Sequence, residues 1–122
     1  MVIKDFQDLL VWQKAHKLTL EIYKLTRDFP QEEKFGVISQ LRRAAVSVCA
    51  NIAEGHRKST KDFLRFLDIS RGSLEEVRYF LILAKDLGFF DEERFIAFVN
   101  LSDEVGKMLN GLKQGLGYRL GR

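Results

Sequence analysis

The chain is poor in the residues that most site chemistry requires. One cysteine, Cys49, among 122 residues excludes an internal disulfide and any site built from several cysteines. Only two histidines are present, His16 and His56. Neither follows a glutamate in the Glu-x-x-His spacing of di-iron bundles. Neither has an HExxH-type partner, so a zinc site carried on one helix is unsupported. The arginine that precedes the histidine of HEPN-type helical-bundle ribonucleases is also missing. No glycine-rich phosphate loop occurs, and Ser47 has no histidine within helical reach to serve as its base. The expectation is a protein that is not an enzyme and holds no metal or cofactor.

Breakers and long apolar runs are scarce as well. The single proline, Pro30, and nine glycines gathered near element ends leave long stretches free to be helical. No segment approaches the ~20 apolar residues of a membrane span. Lys4 and Asp5 stand where a signal peptide would be apolar, so a cytoplasmic protein with no membrane partner is expected. Neither charge sign dominates: 20 basic against 17 acidic residues give +3, which permits an anionic partner without demanding one. Hydrophobic content of 46% and charged content of 30% are ordinary for a globular chain. The length suits one domain, 1–122, with one core. Cys49, beside an apolar face, reads as a small buried hydrophobe rather than a reactive thiol.

What is abundant is helical periodicity. It marks helices at about 8–28, 33–55, 60–87 and 92–113, with a frayed tail at 115–122. In the first, Val11, Ala15, Leu18, Ile22 and Leu25 form a core stripe, and Phe29-Pro30 stops the helix. A second row, Leu9, Trp12, His16, Leu20 and Tyr23, either widens the core contact or meets another subunit. Glu32 and Glu33 suit the start of the second helix and Gly55 its left-handed cap. Ser59 caps the third, with Asp62 three residues on. Its inner face runs through Phe63, Phe66, Leu67, Ser70, Leu74, Val77, Leu81 and Ala84. Gly72-Ser73 interrupts that helix at a cost of about 1 kcal/mol, for which close approach of a neighbouring backbone would be the reason. Leu64, Tyr79 and Ile82 would lie exposed on a lone bundle. Asp91 caps the fourth helix, whose inner face is Phe95, Phe98, Ser102, Val105, Leu109 and Leu112. Gly111, Gly115 and Gly117 weaken its end. Short connections force neighbours to be antiparallel, so the fold class is all-α, an up-down-up-down four-helix bundle.

The stretch Gln40 to Gly55, QLRRAAVSVCANIAEG, is the centre of this organisation. Val37, Leu41, Ala44, Ala45, Val48 and Ile52 make a broad apolar face. Gln40, Arg43, Ser47, Asn51 and Glu54 return to one narrow polar stripe at spacings of three and four. Val46, Ala50 and Ala53 lie between them, leaving little polar surface for water. The pattern fits either a central helix whose stripe is paired with neighbours or a solvated edge on an alanine-rich helix. After it, Arg57, Lys58, Lys61 and Arg65 gather around one turn and one helix start, countered by Asp62. Such a group either binds phosphates or is an ordinary solvated turn. No aromatic residues interleave with these cations in the manner of a stacking platform for single strands, so contact with nucleic acid would be to its backbone or shape.

The run QLRRAAVSVCANIAEG, continued by RKSTKDFLRFLDISRGSLEEV, resembles the four-helix-bundle proteins of the 23S rRNA intervening-sequence family. The opening FQDLLVWQKAHKLTLEIYKLTRDFPQEEKFG is similar too, and the match extends to about Gly88. The resemblance implies an antiparallel bundle that assembles as a homopentameric barrel, and an RNA connection through the genetic location of its members. A related branch, the accessory proteins of diversity-generating retroelements, is similar in build, is more basic than this chain, and is associated with nucleic acid and a reverse transcriptase. Carried over by position, the family's polar signature falls on Gln40, Arg43, Ser47, Asn51, Glu54, Gly55, Gly72, Ser73 and Glu76. The implied arrangement is a polar seam in which the stripe faces Gly72-Ser73, within a subunit or between subunits, and Arg43 pairs with Glu54 or Glu76. Trp12, His16, Tyr23, Leu64, Tyr79 and Ile82 are the expected oligomer surface. Two functional readings follow. One is a non-enzymatic oligomeric scaffold binding RNA or DNA through Arg57, Lys58, Lys61 and Arg65. The other is an assembly module that recruits a separately encoded protein and touches no nucleic acid.

Overall fold

Four helices account for most of the chain in the computed structural model, which describes residues 2–119. They are α1 (Leu10–Thr26), α2 (Val37–His56), α3 (Thr60–Asp86) and α4 (Glu92–Arg119). No strand occurs among the described residues. Each helix packs on two others in a cycle, α1 with α2 and α4, and α3 with α2 and α4. Contacts between consecutive helices run in opposite chain directions. Thr19 meets Ala45, while Thr26, further along α1, meets Arg42, earlier on α2. Likewise Asp68 pairs with Lys113, while Arg78 pairs with Asp103 at 3.9 Å.

The core is the one that the periodicity marks. Val11, Ala15, Leu18, Ile22 and Leu25 from α1 are buried with Leu41, Ala45, Val48 and Ile52 from α2. Leu67, Leu74, Val77 and Leu81 from α3 and Phe98, Val105 and Leu109 from α4 complete it. Fully burying each of these larger side chains is worth about 1.5–3 kcal/mol, which sets the crossing of the helices more firmly than intrinsic propensity does.

The ends depart from expectation at several places. A short 3-10 turn, Phe6–Asp8, precedes α1, with the Asp5 carboxylate accepting from the Gln7 N–H at 2.6 Å. Glu32 and Glu33 lie in a second 3-10 turn, Gln31–Glu33, and α2 starts only at Val37, beyond Gly36. Two acidic residues suit the first turn of either helix type, so they did not discriminate. Gly55 is not a left-handed cap: it sits inside α2, buried, and the one positive-φ glycine among those described is Gly88, at 80°. Ser59 caps α3, its Oγ accepting from the Asp62 N–H at 3.2 Å. Asp91 caps α4, its Oδ1 accepting from the Arg94 N–H at 2.7 Å, a bond that holds the Asp91 carboxyl below its ordinary value. α4 continues through Gly111, Gly115 and Gly117 to Arg119 rather than fraying at 115, because Leu116 and Gly117 are buried against the bundle. The remainder of the expected tail, 120–122, lies outside the described residues.

Candidate functional site

Two neighbouring features of the α2–α3 pair carry most of the predicted site residues. The first is the corner where α2 ends. The chain turns through Arg57, Lys58 and Ser59, and the Lys58 N–H closes the turn on the Gly55 carbonyl at 3.0 Å. Gly55 makes the tightness possible. A Cβ there would lie 2.6 Å from Phe66 Cβ and 2.9 Å from Phe63 Cδ1, so only glycine lets α3 begin this close to α2.

Arg57, Lys58, Lys61 and Arg65 are all exposed around this corner. Arg65 reaches Asp62 at 3.6 Å, an exposed pair worth little. Among the described residues, no carboxylate lies within 4.0 Å of Arg57, Lys58 or Lys61. One aromatic, Phe66, stands among these cations. Phe66 is half-buried, with the Lys58 ammonium 5.6 Å and the Arg65 guanidinium 5.7 Å from its ring centroid. His56 meets Phe63 edge-on at 5.9 Å on the adjoining side.

The second feature is the polar stripe. Ser47 Oγ and Ser73 Oγ share a hydrogen bond of 2.8 Å, and the Asn51 amide donates to the Ser47 carbonyl at 2.9 Å and to its Oγ at 3.1 Å. Beneath them the buried Ser70 hydroxyl donates to the Val48 carbonyl at 2.8 Å. The stripe therefore does face Ser73 within the chain. Gln40, Arg43, Ser47, Ser73 and Glu76, with Ala44, line a shallow depression of about 430 Å³. The expected ion pair is not among its contacts: Arg43, Glu54 and Glu76 are exposed, and Arg43 makes no bridge to either carboxylate within the protomer. Nor does a backbone approach Gly72. It is exposed, and a Cβ there would meet nothing within 4 Å.

The expected oligomer surface divides. Tyr79 and Ile82 are exposed, at 57% and 43%. Leu64 is buried, at 6%, contrary to expectation. The continued α4 places Lys113, Gln114, Gly117 and Tyr118 beside it, and Lys113 pairs with Asp68 one turn further on. On α1, Trp12 is half-buried and stacks on His16 at 4.8 Å and 12°. Tyr23 lies under the Arg42 guanidinium at 4.5 Å, while Arg42 Nε donates to Thr26 Oγ1 at 2.8 Å. Tyr23 and Arg42 thus hold α1 to α2 inside the protomer. Cys49 is buried with Sγ 3.4 Å from Thr19 Oγ1, and burial pushes its thiol above the ordinary range.

Chemistry beyond these contacts is sparse. Among the described residues, no three His, Cys, Asp or Glu side chains are grouped as metal ligands would be. No described helix is long and apolar enough to cross a membrane.

Comparison with known proteins bears on the same residues. Residues 7–111 match the profile of the family described as 23S rRNA-intervening sequence protein. The chain belongs to that family. The matched span takes in α1, α2, α3 and most of α4, and so the basic corner and the polar stripe together. A solved structure of similar fold is a protein with unknown function from the S23 ribosomal protein family of Bacteroides thetaiotaomicron VPI-5482. It shares 27% identity and a TM-score of 0.79, over 86% of this chain and 96% of that one. No curated protein matches the chain. The chain thus shares its fold with a protein of unknown function.

Proposed function

We propose that this protein is a non-enzymatic scaffold that associates with copies of itself and binds the backbone of nucleic acid at the α2–α3 corner. The bundle is read as up-down-up-down, in keeping with the opposed contacts of successive helices. The observation that carries the nucleic-acid reading is the group of Arg57, Lys58 and Lys61, exposed together beside the start of α3 and without carboxylate partners there. Unneutralised cations beside free helix N–H groups favour phosphate, and the family's description supports RNA as that ligand.

Titration of the protein with 23S rRNA fragments at low and moderate salt tests this. Affinity should fall steeply with salt. Replacing Arg57, Lys58 and Lys61 together by alanine should weaken binding and flatten the logarithmic salt slope by roughly 0.7–0.9 for each phosphate that is no longer neutralised. Absence of salt-dependent binding would remove nucleic acid from consideration.

Self-association is supported by the open α2–α3 face, where Arg43, Glu54 and Glu76 have no ion-pair partner among the described residues and Tyr79 and Ile82 are exposed. A closed ring, a pentamer by the family resemblance, would use such a face repeatedly. Light scattering decides between a ring and a monomer. The same face suits a separately encoded protein, and in that case the scattering mass would remain that of one chain until the partner is added.

A further inference from the structure

We infer that the corner takes single-stranded nucleic acid, with an unpaired base stacking on Phe66 while Arg57, Lys58 and Lys61 hold the flanking phosphates. The inference rests on the nucleic-acid reading above and adds to it the form of the ligand.

Single-strand sites combine a cationic track with an aromatic ring that a base can cover. Both parts are present here within one turn and the first two turns of α3. The neighbouring Phe63 and Leu67 are buried in the core, whereas Phe66, between them in sequence, is only half-buried. Part of a large apolar ring is therefore left at the surface beside four cations. Lys58 and Arg65 lie over that ring at 5.6 and 5.7 Å; both are exposed, so a base that takes the ring face displaces one of them toward the adjoining phosphate.

The ring is held in place from below. The backbone of Gly55 lies so close that a Cβ would be 2.6 Å from Phe66 Cβ and 3.2 Å from Cγ, which limits how far the aromatic can shift. A duplex hides the faces of its bases in its own stack, and a side chain at a rigid corner cannot reach them. An unpaired base can be laid on the ring without deforming a helix. Stacking of this kind tolerates any base, so the site should distinguish paired from unpaired strands and not one sequence from another.

The test uses a fluorescein-labelled RNA strand, the same strand annealed to its complement, and the DNA strand of equal sequence, all at one salt concentration. The expected result is single-strand binding on the order of tenfold tighter than duplex binding, in line with the effect of giving up one stacked base. Phe66→Leu should erase most of that preference and leave the salt slope unchanged, whereas Phe66→Tyr should retain it; melting curves report whether each variant is folded. Similar binding of the RNA and DNA strands is expected, since stacking does not use the 2′-hydroxyl. Equal affinity for strand and duplex, or a preference that survives in Phe66→Leu, overturns the stacking role while leaving phosphate binding at the corner intact. No binding of any probe at low salt would remove both.

Discussion

Gly55 and Phe66 meet where α2 ends and α3 begins, so closely that the first carbon of any side chain at residue 55 would sit 2.6 Å from Phe66 Cβ. That carbon is the root of the ring, not a flexible tip, so relief requires the two helices to part. Alanine at 55 would gain up to ~1 kcal/mol of helix propensity over glycine, but overpacking of a fixed contact costs about 1–3 kcal/mol. The steric cost wins because the second contact, Phe63 Cδ1 at 2.9 Å, is also within the forbidden range. Gly55→Ala should lower stability by about 1–2 kcal/mol, seen as a fall of several degrees in the thermal midpoint. An unchanged or raised midpoint would show that the two helices part at little cost.

The end of α4 makes a second test. Leu64 and Leu116 are each 6% exposed, and Lys113 holds this part of α4 to Asp68 on α3. A chain stopped after Gln114 loses Leu116 and uncovers Leu64. Loss of buried Leu116 with partial uncovering of Leu64 should cost about 2–4 kcal/mol. Urea unfolding of the truncated and full chains measures it, and equal midpoints would mean that the last turns of α4 cover nothing.

These two places also show what could be read from the sequence. The core stripes of all four helices were legible because each repeats at threes and fours within its own segment; Leu18, Ile22, Leu41, Ile52, Leu74 and Leu109 are all fully buried. Gly55 and the end of α4 were not, since their roles depend on residues of another helix. A glycine at the end of an apolar run signals a cap by local rules; here it is a packing contact with Phe66. Three glycines signal a weak helix by propensity, and burial of Leu116 overrides it. The cations of the corner were legible as an exposed group. Phe66 was not, for its spacing puts it at the edge of the inner face, and only the turn of Arg57–Ser59 brings Lys58 back over its ring. Lys58 within that turn and Phe66 eight residues later were the signal available.

Cys49 gives a pH dependence of known sign. Burial is the main cause raising its thiol above the ordinary 9.0, against a smaller opposing effect of the contact with Thr19. The folded protein therefore keeps its proton at a pH where the unfolded chain releases it. The contribution of this group is fully present below the unfolded value and is lost as pH rises through the window between the unfolded and the folded value. Within that window, stability should fall by up to about 1.4 kcal/mol per pH unit. Because lysines begin to titrate nearby, the measurement is the difference between the native chain and Cys49→Ala, whose stability should lack this component. Parallel curves for the two proteins above pH 9.0 would contradict the burial.

Gly72 offers a test of the proposed self-association. A mid-helix glycine costs about 1 kcal/mol relative to alanine, and among the described residues no packing contact compensates, since beyond the helix's own backbone nothing lies within 4 Å of where its Cβ would be. The half-buried Ser47, Ser73 with its hydroxyl bonded to it, and the open side of Gly72 leave the middle of this face low. Among the described residues, Arg43, Glu54 and Glu76 have no ion-pair partner around it. Such a place would let a helix of another copy come close to α3. Gly72→Ala should then act in two directions: in dilute solution, where copies are separate, the thermal midpoint should rise by an amount corresponding to at most ~1 kcal/mol. At high concentration the scattering mass should fall, because the added methyl group stands in the contact. If the alanine variant is more stable and assembles as well as the native chain, the copies meet elsewhere, and the glycine has no role in the interface.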